Sequence, residues 1–159
     1  PVQLVSNVCF HNDGGKRFKR AEQKFNLDFM PNTSSFTYAD FDRDGDIDIV
    51  TSSVMSQPFL LENQVSENRS IQFSLMDEQG NRNAVGAKIT IRYRNQSHQM
   101  REIKLSGGYQ SFDETVVTFG LAHHRIVGQV EIHWPSGEIS ELNNLPTNAR
   151  YLITRAKVP

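Results

Sequence analysis

The stretch at residues 87–94, AKITIRYR, decides the fold, because its apolar residues alternate strictly with polar ones. One face of the extended chain carries Ile89, Ile91 and Tyr93. The other face carries Lys88, Thr90, Arg92 and Arg94. A period of two residues is typical of a strand with one buried face. The stretch therefore predicts a β-strand that packs one face against a hydrophobic core and exposes the other.

The next residues along the chain predict a partner strand. The segment NQS at 95–97 is rich in turn formers, and HQMREIKL at 98–105 resumes the alternation with Ile103 and Leu105. Turn residues between two alternating runs are typical of a β-hairpin. We therefore expect both Ile103 and Leu105 to face the core.

A second hairpin is predicted further along the chain. GQVEIHW at 128–134 places Val130, Ile132 and Trp134 inward, and PSG turns it into EISEL. Four other runs are predicted to be strands, namely QLVSNVCF, DIDIVTSS, SIQFSLM and RYLITRA. AEQKFNLDF is the one plausible helical stretch, and it fits a loop equally well. We expect an all-β protein.

Composition excludes several functional classes. The 159 residues are 37% hydrophobic and 22% charged, with a net charge of -1, which fits one or two small domains and no nucleic-acid partner. No apolar run approaches the roughly 20 residues of a membrane span. The lone Cys9 excludes an internal disulfide framework and a cysteine zinc site. Since residue 1 is proline, we expect a piece of a longer chain or a processed product.

A polar segment, NQVSENRS, separates two styles of sequence. Aspartates and short strands precede it, and longer alternating strands come after it. We place a domain boundary near residues 64–69, giving an N-terminal domain of 1–65 and a C-terminal domain of 66–159.

The acidic residues of the N-terminal part are concentrated in one short segment, ADFDRDGDIDIV. Its aspartates are Asp40, Asp42, Asp44, Asp46 and Asp48. Carboxylates at positions 1, 3 and 5 converge only if the backbone curls, and the glycine at position 6 permits the positive φ that such a curl needs. Ca²⁺ binds six to eight such oxygens and would relieve their repulsion. The alternative is a solvated acidic turn without an ion.

The spacing differs from that of an EF-hand. Position 12 is Thr51 and the flanks are strand-like, whereas the acid falls at position 9, which is Asp48. The pattern is therefore D-x-D-x-D-G-x-x-D leading into a strand. Asp46 at position 7 is expected to offer its backbone carbonyl.

This loop and its neighbours resemble the FG-GAP or VCBS calcium-binding repeat of β-propellers. The resemblance covers residues 1 to about 64 and rests on VCFHNDGGKRFKRA and FTYADFDRDGDIDIVTSSVMSQPFLLEN. It implies side-chain ligation by four aspartates and carbonyl ligation by one. The side-chain set is Asp40, Asp42, Asp44 and Asp48, and the carbonyl is that of Asp46.

One and a half repeats cannot close a propeller, because a propeller needs at least four blades. The remnant is therefore either the C-terminal end of a longer propeller or a unit that packs on the C-terminal domain. We expect Phe59, Leu60 or Leu61 to be buried against the C-terminal domain or another copy of the chain. The unpaired strand edges also make self-association an expectation.

Residues 70 to about 155 resemble the ASPIC/UnbV domain. The resemblance rests on GNRNAVGAKITI, LSGGYQSFDETVVTFGLA and VEIHWPSGEISEL, in that order. It implies a β-rich extracellular module. Together the two resemblances predict a β-sandwich or barrel-like C-terminal domain with an N-terminal remnant like a propeller blade, in a secreted or cell-surface protein, extracellular or periplasmic.

Other candidate side chains favour structural interpretations. Four pairs have residue types that could do chemistry. His123 with His124 is expected to be a loop pair, and Glu131 with His133 an ordinary polar strand face. Asp113 and Glu114 are adjacent and so are not expected to face one bond, and Cys9 with His11 shares a strand face but lacks a third, orienting group. Trp134 is expected to pack in the core rather than form a sugar platform, and the glycines of SGGYQSF to form a turn or bulge. Asn32, Asn68 and Asn95 begin glycosylation sequons.

Two functional hypotheses result. The first is a non-catalytic, calcium-stabilised extracellular binding or adhesion module whose partner is a protein or a glycan. The alternative is a carbohydrate-active hydrolase or lyase, or an accessory domain of one, working through calcium or the Glu131 and His133 face. The sequence favours the first.

Overall fold

The computed structural model describes residues 6–29, 32–54, 56–65, 67–93 and 97–156. Within these ranges the chain forms twelve β-strands and no helix, so the all-β prediction is confirmed. None of the described residues belongs to a helix long and apolar enough to cross a membrane.

The strands follow one another with short connections. Their bounds are β1 Phe10–Asp13, β2 Arg17–Arg20, β3 Thr33–Ala39, β4 Asp48–Ser53, β5 Phe59–Leu61, β6 Arg69–Asp77, β7 Lys88–Arg92, β8 His98–Glu102, β9 Val117–Ala122, β10 Ile126–His133, β11 Ile139–Pro146 and β12 Ala149–Arg155.

Two sheets of the C-terminal part enclose the hydrophobic core. One has the strand order β11-β10-β7-β8 and the other has β12-β6-β9. Buried apolar residues line the inner faces of β6, β7, β9 and β10, and they alternate along β6, β7 and β9 as period-two patterning requires when one face of a sheet is covered. The largest fully buried side chains of the core are those of Phe73, Phe119, Ile71, Ile89, Ile91, Ile103, Leu121 and Ile132. We call this two-sheet unit the sandwich.

β6 is the central strand of its sheet, and its two neighbours run in opposite directions. It pairs antiparallel with β9 and parallel with β12, where Ala149 lies opposite Ile71 and Arg155 opposite Asp77. Its backbone is therefore hydrogen-bonded along both edges, which makes it the most firmly held strand of this sheet.

The N-terminal part adds a smaller sheet, which we call the N-terminal sheet, with the order β3-β4-β5, and a separate hairpin of β1 and β2. All pairings in these elements are antiparallel. The chain between Glu22 and Asn26 makes turns rather than a helix. AEQKFNLDF is therefore loop, which is one of its two expected states.

Most residues predicted to face the core do so. Trp134 is buried, and its indole Nε1 donates a hydrogen bond to Ser140 Oγ at 2.8 Å, so the core interpretation of the tryptophan is confirmed. Tyr93 is partly buried and packs against the core. Leu105 was predicted to be buried and is 46% exposed. Its strand ends at Glu102, so the alternation no longer fixes which way the leucine points.

Parts of the predicted elements lie outside the described residues. These are the residues Asn95 and Gln96 of the NQS turn, Arg94 of the first strand, and Gln3, Leu4 and Val5 of QLVSNVCF.

The FLL segment of β5 makes its described contacts within the N-terminal part. The Phe59 ring packs edge-on against Phe29, with 5.3 Å between centroids, and Leu60 is 61% exposed. Leu61 lines a cavity with Val8 and Leu27. These contacts differ from the expected burial against the C-terminal domain, because the small N-terminal sheet has apolar neighbours of its own. Burial against another copy of the chain stays a prediction.

Two ion pairs of Arg155 close the end of the sandwich. Arg155 Nη2 lies 2.5 Å from Asp77 Oδ2, and Arg155 Nη1 lies 2.7 Å from Glu138 Oε2. The guanidinium also covers the Trp134 ring, 5.6 Å from its centroid. The hydrogen bond from Arg155 is the main cause that lowers the pKa of Asp77 below its ordinary value of 3.8.

This lowered pKa predicts an acid-sensitive contribution to stability. It is fully present above the ordinary carboxyl pKa and is lost as the pH falls through the lower value in the folded state. We expect Asp77→Asn to flatten the fall in melting temperature on acidification relative to the wild type. Melting curves across that pH range measure the effect, with the exposed Asp28→Asn as control. Equal slopes in the wild type and Asp77→Asn would contradict this prediction.

Candidate metal centre

The aspartate loop, residues 40–47, connects β3 to β4. The backbone takes the left-handed conformation twice, at Arg43 with φ 67° and at Gly45 with φ 98°. Glycine adopts this region without steric cost, so the curl predicted at Gly45 is present. The left-handed arginine was not foreseen.

Hydrogen bonds inside the loop hold the curl. Asp42 Oδ1 accepts from the Asp44 amide at 3.1 Å, and Asp44 Oδ1 accepts from the Asp46 amide at 3.0 Å. Such bonds to an amide two residues ahead are the turns that aspartate favours. They orient successive carboxylates in a loop that contains no other regular structure.

Asp48 anchors the loop at the first position of β4. Its side chain is 1% exposed. Oδ2 accepts from the Phe41 amide at 3.0 Å and Oδ1 from the Asn63 amide at 2.9 Å. Each carboxylate oxygen has a second lone pair, so these bonds leave it free to contact a cation.

Three of the five predicted aspartates converge. One carboxylate oxygen from each of Asp40, Asp42 and Asp48 lies within 4.8 Å of the others. Asp44 and Asp46 do not belong to this group among the described residues. A triad of carboxylates at this spacing can supply three of the oxygen ligands that Ca²⁺ takes.

Three buried carboxylate oxygens in the loop, one of them on a triad residue, have no hydrogen-bond partner among the described residues. They are Asp40 Oδ1 and both side-chain oxygens of Asp46. Burial first, and then the charges of Asp44 and the other aspartates, raise the pKa of Asp46 to about 6. A buried carboxylate without a partner is costly, and a cation in the loop would offset both the cost of burial and the repulsion between the carboxylates. The residues therefore fit a calcium ion.

The sandwich also contacts the loop. Gln72 of β6 donates from Nε2 to Asp40 Oδ2 at 2.7 Å. The Asp40 amide lies 3.4 Å from Glu114 Oε1, and burial raises the pKa of that carboxyl. Sequence analysis missed both residues as neighbours of the site, because neither stands in the aspartate motif or next to it.

A further contact joins the N-terminal sheet to the segment before β9. Thr37 Oγ1 donates to the Phe112 carbonyl at 2.8 Å and lies 3.1 Å from Asp113 Oδ1. Asp113 and Glu114 thus contact different groups of the N-terminal part. This arrangement agrees with the expectation that these adjacent carboxylates do not face one bond.

The remaining candidates occupy structural positions. His124 lies in a turn, with its ring 4.5 Å from the Tyr93 ring. Glu131 and His133 contact each other on the outer face of β10. Gly108 forms an isolated bridge with Ser111, in agreement with the turn interpretation of SGGYQSF.

Fold and site together define a class of protein, a two-sheet β-domain that carries an acidic, cation-compatible loop on a small flanking sheet. A family model described as ASPIC and UnbV matches residues 77–159. The chain belongs to this family, and the predicted ASPIC/UnbV resemblance is confirmed. A search of curated proteins finds no match to the chain.

Proposed function

We propose that the protein is a non-catalytic extracellular binding or adhesion module in which Ca²⁺ stiffens the aspartate loop. The buried Asp40 Oδ1, which has no hydrogen-bond partner among the described residues, carries this proposal, because a cation held by the triad would satisfy that oxygen and offset the repulsion between the carboxylates. Membership of the ASPIC/UnbV family is compatible with an extracellular accessory module.

We place the loop in an FG-GAP or VCBS-type repeat remnant. The spacing D-x-D-x-D-G-x-x-D and the antiparallel order β3-β4-β5 support this assignment, since a propeller blade is an antiparallel sheet. We also infer a secreted or cell-surface location for the protein. Calcium-binding modules there typically bind the ion with dissociation constants of about 10⁻⁴ to 10⁻³ M.

A cleft beside the loop is the surface we assign to a ligand. It encloses about 500 Å³ between the N-terminal sheet and the sandwich. Tyr38, Arg101, Lys104, Asp113 and Glu114 are among its lining residues. Pockets with a few convergent polar groups are common at such junctions. An aromatic ring with charges of both signs suits a polar partner such as a glycan or a protein segment.

Calcium is expected to raise the thermal stability. A ligand that binds only the folded state adds RT ln(1 + [L]/Kd), which is about 2.7 kcal/mol at 100 times Kd. For a chain of this size that corresponds to a rise of roughly 5 to 10 °C in the melting temperature. Scanning calorimetry with calcium and with EDTA measures it.

The variant Asp42→Ala is the matched test, because this exposed aspartate contributes to the triad without lying in the core. We expect it to lose most of the calcium-dependent rise. In EDTA the variant loses the hydrogen bond from the Asp44 amide but is also freed of one repelling charge, so its melting temperature is expected to stay near that of the wild type. The proposal would be contradicted if the wild type melted at the same temperature with calcium and with EDTA and released no heat in a calcium titration.

A further inference from the structure

Gln72 lies on the outer face of the sandwich and is nevertheless 6% exposed. Its neighbours Ile71 and Phe73 point into the hydrophobic core, so alternation along β6 directs Gln72 the opposite way. The aspartate loop reaches this face, since Gln72 donates from Nε2 to Asp40 Oδ2 at 2.7 Å.

We propose that Gln72 is a positioning residue for the cation loop, so that Ca²⁺ binding is coupled to the docking of the N-terminal sheet on the sandwich. The inference rests on the calcium site proposed above. It assigns part of that site to the sandwich, outside the aspartate motif.

The hydrogen bonds at Asp40 give the physical basis. Oδ2 accepts from Gln72 Nε2 and from the Gly45 amide, the latter at 3.2 Å. These two bonds fix the rotation of the carboxylate. Oδ1 is then buried without a partner among the described residues, and it is the oxygen left to bind the cation.

Gln72 is itself held in place by its strand. Its backbone lies opposite Thr118 of β9 on one side and Arg150 of β12 on the other. A donor on a strand paired at both edges is preorganised, so Asp40 loses less conformational freedom when the ion binds. Neighbours of metal ligands that act in this way typically change metal affinity by about 10- to 100-fold.

A second contact reinforces the coupling. The amide of Asp40 faces Glu114 Oε1, so the backbone and the side chain of one residue both contact the sandwich. Because coupling between binding and docking is reciprocal, an ion that orders Asp40 also strengthens the attachment of the N-terminal sheet.

Calorimetric titration of the full chain with Ca²⁺ tests the inference. We expect Gln72→Met, which keeps the length and removes the donor, to raise Kd by about 10- to 100-fold. The matched control is Gln99→Met, on the other sheet, where the amide donates to the Gly120 carbonyl at 2.9 Å. We expect the control to leave Kd within about twofold of the wild type.

A second measurement uses the wild type alone. The side-chain amide resonances of Gln72 are expected to shift during the calcium titration with the calorimetric midpoint, and those of Gln99 to stay in place. Amide hydrogen exchange in β3 to β5 is expected to slow with calcium in the wild type and to slow less in Gln72→Met.

The outcomes separate the two proposals. If the wild type binds no calcium, the proposed function fails and the coupling fails with it. If the wild type binds calcium while Gln72→Met has the wild-type Kd, or the Gln72 resonances do not move, the coupling is overturned and the calcium site stands.

Discussion

Asp48→Asn is expected to weaken Ca²⁺ binding by about 100- to 1000-fold, because unit charges about 4 Å apart interact by about 4 kcal/mol at an effective dielectric constant of 20. Solvent can do little to compensate for the lost negative charge, since this side chain is 1% exposed. The amide keeps one oxygen to accept a hydrogen bond from the Phe41 or the Asn63 backbone. The other backbone amide then faces the side-chain NH2 and loses its acceptor, which is expected to cost about 1 to 3 kcal/mol of stability in EDTA as well. Isothermal titration calorimetry measures the change.

The same substitution at Asp28, an exposed residue far from the motif in sequence, is the control. It removes an equal charge and is expected to leave Kd nearly unchanged, because Asp28 lies outside the motif and the field of an exposed charge is weakened by water and salt. Similar affinities for Asp48→Asn and the wild type would show that the loop does not bind the ion through its buried carboxylate.

Phe73→Ala is expected to lower the free energy of unfolding by about 3 to 5 kcal/mol. The side chain is fully buried at the centre of the sandwich. Its ring meets Phe119 edge-on at 6.0 Å and stacks on Tyr151 at 5.9 Å between centroids. Removing it leaves a cavity between β9 and β12, and also removes both ring contacts. Urea denaturation followed by circular dichroism measures the loss.

Phe112→Ala makes the same chemical change at a ring that is 77% exposed. The bond from Thr37 goes to the backbone carbonyl of Phe112 and survives the substitution. We expect a change of at most about 0.5 kcal/mol, as is usual on surfaces. Equal losses in the two variants would mean that the core is not centred on β6.

The sandwich was predictable where alternation is strict. Ile89, Ile91, Val130 and Ile132 were placed correctly, because a period of two leaves one choice of face once a core exists. Leu105 was wrongly predicted to be buried, because the alternation of apolar and polar residues does not show where β8 ends. The pairing of β6 with β12 could not be predicted from the sequence either, since no turn connects parallel strands that lie far apart in the chain.

The loop was predictable to the level of its motif. The curl at Gly45 follows from sterics. The spacing predicted that Asp40, Asp42 and Asp44 converge, whereas the structure groups Asp40 and Asp42 with Asp48. The contact between Gln72 and the loop does not follow from the sequence, because contacts between distant segments depend on how the sheets pack. A glutamine within the strand pattern SIQFSLM carries no signal of its own.

The parallel pairing of β6 and β12 has a consequence for synthesis on the ribosome. β6 is made long before β12, and Tyr151 and Ile153 of β12 pack against the core. Until β12 has emerged, one edge of β6 remains an open template for other chains. Pairings between distant segments also form slowly. The nascent chain is therefore most vulnerable to aggregation in the interval between the two strands, which makes this stage the natural point for a chaperone to act.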